Sequence, residues 1–237
     1  MKLTYIFPAL LLSVGIFGAG YFIGNMHKIG KEYDRYVQVK GLSEREVPAD
    51  LAVWPMHVSL TGNNLTTLKA EIEEQNREVQ DFFRSLGFSE EELSKGNTNI
   101  NDLQADPYNR NAQNNPFRYI AKSEFTLRTK EVSKVQNALT ASLELMSKGI
   151  LLGSQNSWRP VEYIFTGLND IKPAMIEEAT KNAREVAEKF ARDSQAQVGD
   201  IKTARQGLFT ISDRDQNTPQ IKQIRVVSTI DFHLEGG

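Results

Sequence analysis

Residues Tyr5 to Gly24, YIFPALLLSVGIFGAGYFIG, carry no charged side chain. About 20 helical residues rise roughly 30 Å, the thickness of a bilayer's hydrocarbon core. Gly15, Gly18, Gly20 and Gly24 would weaken a helix in water but are ordinary in membrane helices, where a buried charge is the far greater cost. One membrane span is therefore expected. The rival is a cleaved secretory signal peptide, because Lys2 and the amino terminus make a positive leader and Gly18-Ala19-Gly20 a small-residue boundary. Against cleavage, the apolar run continues through Tyr21-Phe22-Ile23 without an A-x-A ending. A buried soluble helix would need cover on every face. Both leading readings export the remainder, although Lys28, Lys31 and Arg35 oppose a simple positive-inside bias. Residues 1–27 are expected to be the anchor or signal, and residues 28–237 one domain.

Beyond the anchor the composition is that of a folded domain: over the whole chain 24% of residues are charged and 40% hydrophobic. Those proportions exclude wholesale disorder and a multi-span protein. A net charge of -2 without strong segregation supplies no cationic footprint, so no nucleic-acid partner is expected. The chain has no cysteine, which removes disulfides, thiolate catalysis and Cys-ligated zinc together. Zero cysteine fits either side of a membrane.

Hydrophobic period then divides the chain. Asn25 to about Tyr33 reads as a juxtamembrane connector and Asp34 to Gly41 as a short strand. Over Leu51 to Thr61, residues Ala52, Trp54, Met56, Val58 and Leu60 alternate on one face, as a half-buried strand requires, with Pro55 favouring an edge or bulge. From Leu65 to Leu86 the period turns helical through Leu65, Leu68, Ile72, Val79, Phe82, Phe83 and Leu86, with Asn63-Asn64 ending the strand and starting the helix and Gly87 as its stop. Asn97 to Ala105 reads as a strand, and Asp106 to Pro116 as a polar loop. Tyr119, Ala121, Phe125 and Leu127 share a strand face. Val135, Leu139, Leu143 and Met146 share a helix face.

The order strand, strand, helix then recurs approximately, with a strand from Gln155 to Thr166 and a helix from Asp170 to about Ser194. Asp170 is expected to cap that helix, and Pro173 to sit in its first turn, where a missing amide hydrogen does little harm. Ala179, Ala183, Ala187 and Ala191 lie four apart, letting one side approach a neighbour closely. Strands are expected at Lys202–Ile211 and Gln220–Leu234, joined by a turn. Together these predict an α/β sandwich: a mixed, predominantly antiparallel sheet covered by helices and preceded by one N-terminal transmembrane helix.

Catalytic and metal chemistry find little support. His27, His57 and His233 lie far apart in sequence with no compact ligand motif, and His57 and His233 read as ordinary strand histidines. Glu44, Glu46 and Asp50 cluster before one strand, and Glu90, Glu91 and Glu92 after one helix. Paired carboxylates divide acid and base roles only when burial or proximity separates their pKa values, and these clusters read as solvated connections or caps. Ser59 and His57 make no triad by coexistence. No nucleophile elbow, phosphate loop, dinucleotide fingerprint or H-E-x-x-H motif occurs. No catalytic, cofactor or metal residue is assigned, and an enzyme is not expected. Asn64-Leu65-Thr66 matches a glycosylation acceptor pattern but also reads as a helix start.

Three ordered passages carry a resemblance: Tyr36 to Gly62, Tyr119 to Leu139, and Ala174 to Gly199. Together they resemble the SIMPL family, also called the domain of unknown function 541 family, over roughly Asp34 to Leu234. Gly41 matches a family-like glycine ahead of the Pro48-Ala49-Asp50 turn, where Ala49 intervenes between the proline and aspartate that many members join directly. Asn182, Ala183, Arg184, Ala187, Phe190 and Ala191 resemble its long-helix segment, with apolar positions packed and charged ones outside. The resemblance implies an α/β domain exported or attached to the bacterial envelope, with some members forming ring-like or channel-like assemblies, and no transferable catalytic set. The expected role is a structural or interaction protein of the bacterial cytoplasmic membrane. It would be single-pass, with its C-terminal domain in the periplasm or outside, homo-oligomeric, and associated with stress tolerance. A periplasmic ligand-binding or signalling module is the alternative. Besides the lipid bilayer and further copies of the chain, no protein or small-ligand partner is specified.

Overall fold

The computed structural model describes residues 12–24, 35–105, 116–154 and 160–236. The elements in chain order are α1 (12–24), β1 (Tyr36–Pro48), β2 (Leu51–Gly62), α2 (Leu65–Ser85), β3 (Leu93–Asp102), β4 (Tyr119–Thr129), α3 (Val132–Ala141), α4 (Leu143–Ser147), β5 (Glu162–Ile164), α5 (Leu168–Asp193), β6 (Gln197–Gln206), β7 (Thr210–Asp213) and β8 (Ile221–Glu235). The fold is α/β with antiparallel pairing, and its strands form two four-stranded sheets. By contact density the chain divides into two compact units. One comprises Met1–Arg45, Asn169–Ser212 and Gln223–Gly237, and the other Glu46–Leu168 and Asp213–Lys222. The connector Asn25–Tyr33 with its His27, residues 106–115 of the expected polar loop, and residues 155–159 of the expected strand lie outside the described residues.

The second unit is built on a sheet of order β3-β4-β2-β5. Alternation decides which face of β2 is buried: Ala52, Trp54, Met56 and Val58 face the core, opposite Thr129, Leu127, Phe125 and Ser123 of β4. On that face lies α2, which buries Leu68, Ile72, Val79 and Phe83. Trp54 meets Phe83 edge-on at 5.6 Å between ring centres, a favoured aromatic geometry. Asn64 starts α2 by accepting hydrogen bonds from the Thr66 and Thr67 amides at 2.9 and 3.1 Å. Gly87 stands just past its end in the left-handed region, φ +86°, where a glycine carries no penalty.

The helix expected to run to Met146 breaks instead. At Ser142 α3 ends, the Ser142 hydroxyl donating to the Leu139 carbonyl at 2.7 Å, and α4 restarts with its phase shifted. Leu145 is therefore buried, while Leu143, on the expected face, is 63% exposed.

In the first unit the sheet has order β1-β8-β6, with β7 also pairing β8. The strand expected to end at Gly41 runs on to Pro48. The strand expected over Lys202–Ile211 is two, β6 and β7, separated at Gly207–Phe209. Helix α5 begins at Leu168, so Asp170 stands within its first turn rather than at its cap, and Pro173 lies inside the helix. All four alanines of the predicted stripe are buried, together with Met175. Phe190 is 57% exposed, not packed. A four-residue step turns about 40° beyond a full circle, so the stripe drifts around the helix and by Ala191 has left Phe190 behind.

Gly41 of β1 is where α5 comes closest. A Cβ there would lie 2.7 Å from the Ala183 amide nitrogen and closer still to the Ala179 carbonyl oxygen. Both obstacles are backbone, so neither can rotate away. Gly41→Ala is expected to lose about 3 kcal/mol by overpacking in urea denaturation. Gly62→Ala, whose added carbon would meet only Leu68 at 3.6 Å, is expected to stay within a few tenths of wild type.

Candidate functional site

His57, read from the sequence as an ordinary strand histidine, lies among other polar groups. It lies on the less buried face of β2, directly across from Glu124, and Ser59 lies across from Lys122. Lys122 and Glu124 are themselves ion-paired at 3.2 Å. An isolated bridge joins His57 to Gly153 through both backbone hydrogen bonds, each 2.8 Å. Gly153 lies so close over the imidazole that a Cβ would stand 2.6 Å from His57 Cε1. Burial, then the Lys122 charge, lowers the His57 pKa, against a smaller opposing effect of Glu124. The recess beside it, lined by Pro55, Met56, Lys122 and Thr126 among others, holds about 40 Å³. That is room for a water molecule, not for a substrate. No hydrogen bond joins the ring to Ser59 among the described residues, and His233 stands elsewhere on β8.

The acidic clusters resolve into structural contacts. Glu44 and Glu46 stand on β1, not in the expected connection, because that strand extends to Pro48. Glu44 pairs with Arg225 and Glu46 with Arg214, each at 3.3 Å. Asp50 accepts from both the amide and the hydroxyl of Thr166, 2.9 Å each, and so ties the β1–β2 turn to the chain leaving β5. Glu92 reaches back to the Ser89 amide at 2.9 Å and accepts from the Thr129 hydroxyl. That Thr129 bond, with the Ser89 amide second, lowers the Glu92 pKa. Glu90 holds Arg84 at 2.8 Å. Among the described residues no group of three or more histidines and carboxylates is placed to hold a metal ion.

Two groupings escaped the sequence pattern. Asn76, 1% exposed on α2, donates to Ser123 Oγ at 3.0 Å, and Ser123 shares a second hydrogen bond with Thr98 at 2.8 Å. The only sequence signal was a polar residue at a core position of the helix. In the first unit, Asp231 of β8 accepts from Thr203 of β6 and Gln38 of β1, which together lower its pKa. Each grouping joins strands or a helix and a sheet. Two hollows flank α2, each about 320 Å³. One is floored by Phe83, Phe88 and Leu93, the other by Phe82 and Leu145.

The fold thus defines an α/β protein of antiparallel sheets whose polar groups chiefly bind its own elements together. A family model described as SIMPL, protein of unknown function (DUF541), matches residues 37–229, and the chain belongs to that family. A comparison with curated proteins finds no match.

Because folding lowers the His57 pKa, the unfolded chain takes up a proton first as pH falls. His57 therefore adds stability above its ordinary value of 6.5, and that stability is lost as pH drops from there through the lower folded value. His57→Gln is expected to flatten the stability profile between about pH 7 and 5. The acid loss from Asp215, whose pKa is lowered to about 2, should remain at lower pH. Urea midpoints across that range check this, and an unchanged slope in the variant would show that His57 does not set it.

Proposed function

We propose that this chain is a membrane-anchored structural or interaction protein of the cell envelope. It is single-pass, with the region after the anchor outside the cytoplasm, self-associating, and without catalytic activity. One observation carries the reading. Residues 12–24 are helical, and Leu12, Val14, Ile16, Phe17, Tyr21, Phe22 and Ile23 all remain exposed, Phe17 to 81%. A helix this apolar that its own chain leaves uncovered is favourable only against lipid or another apolar surface. Among the described residues no helix is long and apolar enough to cross a membrane. The reading therefore joins the described helix to the uncharged sequence that precedes it from Tyr5.

The roles of the polar residues support a binding rather than a chemical task. His57 has no substrate-sized space beside it, and the acids serve as turn locks, caps and ion pairs. The hollows beside α2 favour the ligand-binding alternative, since about 320 Å³ is the lower end of a small-molecule site. Polar groups line both, but the cations among them are already paired: Arg84 is held by Asp81 and Glu90, and Lys148 by Glu78. Association with stress tolerance belongs to the same proposal and rests on family resemblance alone.

Membrane fractionation tests the anchor. The full chain is expected to stay with membranes through an alkaline carbonate wash at its uncleaved mass. Ile16→Arg with Phe17→Asp should release it, since each buried charge costs about 2.5–3.5 kcal/mol at a span's centre. Wild type found soluble and shortened would establish a cleaved signal. Light scattering on detergent-extracted chain should give a protein mass several times 26.7 kDa. A concentration-independent monomer would remove self-association.

A further inference from the structure

The outer edge of the first unit's sheet is interrupted. Both β6 and β7 pair with β8, so they form one edge broken at Gly207-Leu208-Phe209. The break is held on both sides. Gln206 stands opposite Ser228, the Gly207 amide donates to the Val227 carbonyl at 2.9 Å, and the Thr210 hydroxyl reaches the Arg225 carbonyl at 3.5 Å. Gly207 has no room for a side chain, because a Cβ would lie 2.5 Å from that Val227 oxygen. Between these contacts Leu208 and Phe209 face the single residue Val226 of β8, one residue in excess, which makes a bulge of the kind that re-aims side chains: Leu208 stands out and Phe209 is half-buried.

The bulge presents an unusual set of side chains for a surface loop. Leu208 is 90% exposed, more than any other large apolar side chain described, and Ile201 and Ile211 on either side are also exposed. From Ile201 to Ser212 there is no acidic residue, while Lys202 and Arg205 are basic. Lys172 of α5 adds a third cation, its Nζ 5.8 Å from the centre of the Phe209 ring. Lys202, further along β6, also lies over the Tyr36 ring at 4.5 Å, and it and Arg205 act on Asp231 of β8. An exposed leucine on a bulge with cations along the same edge is what an anionic bilayer surface attracts, the first entering the acyl boundary and the second meeting phosphates. A protein groove would suit the apolar residues, but it would have to be acidic as well to suit the three cations.

We propose that the β6–β7 bulge is a second membrane contact, with Leu208 inserting at the surface of an anionic bilayer and Arg205, Lys202 and Lys172 binding lipid phosphates. The proposal rests on the anchored reading, which keeps a bilayer within reach of the chain.

The absence of native cysteine makes a single-site test direct. The full chain carrying Leu208→Cys, labelled with an environment-sensitive fluorophore, is reconstituted into vesicles of phosphatidylcholine with or without phosphatidylglycerol. A lipid bearing a shallow spin-label quencher is included. The expected result is a blue shift and quenching that require phosphatidylglycerol, fall several-fold on adding Arg205→Glu, and are missing from a Leu143→Cys control in the other unit. An unquenched probe on chain that floats with the vesicles would overturn the proposal and leave the anchor standing. If the chain does not float, the anchored reading fails. Vesicles added to the free protein then decide the loop separately, with phosphatidylglycerol-dependent quenching retaining the lipid contact and no quenching overturning it. A blue shift without vesicles that grows with protein concentration would assign the tip to a protein interface and overturn the lipid contact.

Discussion

In the first unit everything turns on how closely α5 approaches β1. The helix presents Met175 and four alanines, and the strand presents Gly41, so backbone meets backbone without an intervening side chain. Such packing gains many small dispersion contacts and little slack. It also brings hydrogen-bonding groups into reach. The Asn182 amide donates to the Leu42 carbonyl at 2.7 Å, and Glu178 accepts from the buried Ser43 hydroxyl and from Arg45. With α5 thus fixed, Ala183, Ala187, Val39, Ile230 and Phe232 close a small core, and Arg184 covers the Phe232 ring from 4.9 Å. A larger side chain at Gly41 would separate all of these contacts together. The glycine matters through the space it leaves, since its φ lies outside the left-handed region.

The second unit reaches density by the opposite means. Trp54, Phe82, Phe83, Phe88 and Phe125 fill the space between sheet and helices, with Phe83 in edge contact with both Trp54 and Phe82. Large rings tolerate small errors of helix placement that an alanine stripe does not. Fixing the register of such a core needs something directional, and the Asn76–Ser123–Thr98 chain supplies it across a helix and two strands. It has a cost, because Asn76 Oδ1 finds no protein partner.

Period and local caps were legible in the sequence. The faces of β2, β4, α2 and α5 come from spacing alone, and Asn64 and Gly87 mark the ends of α2 because each satisfies a backbone need that few residues meet. Pairing was not legible, because it depends on contacts distant in sequence. Nothing local says that β1 continues through Glu44 and Glu46, whose charges are balanced by Arg225 and Arg214 more than a hundred residues later. The break at Gly207 is likewise invisible to alternation, since Ala204, Gln206, Leu208 and Thr210 keep a strand's spacing while β8 offers only Val226 between the partners of Gly207 and Thr210. Asp50 read as one acid in a cluster, and only the fold brings Thr166 to it.

The sheet edges bear on the proposed self-association of the chain. Edge β6 carries two register shifts against β8, the charges of Lys202 and Arg205, and then the bulge. Edge β5 is three residues long, and β3 is irregular between Lys95 and Thr98. Short length, charge and bulges are the devices by which proteins prevent one sheet from extending into the next. Continuous strand addition is therefore disfavoured at these three edges, which leaves the β1 edge, side-chain surfaces and the apolar N-terminal segment as the places where copies would meet. The side-chain surfaces include Leu143, Met146 and Leu151 just beyond α3, Val186 and Phe190 on α5, and Leu208 on the bulge, all exposed. The N-terminal segment instead leaves apolar side chains uncovered all along residues 12–24. Confinement by lipid would also raise the local concentration of copies, so contacts too weak to hold in dilute solution could suffice at a membrane.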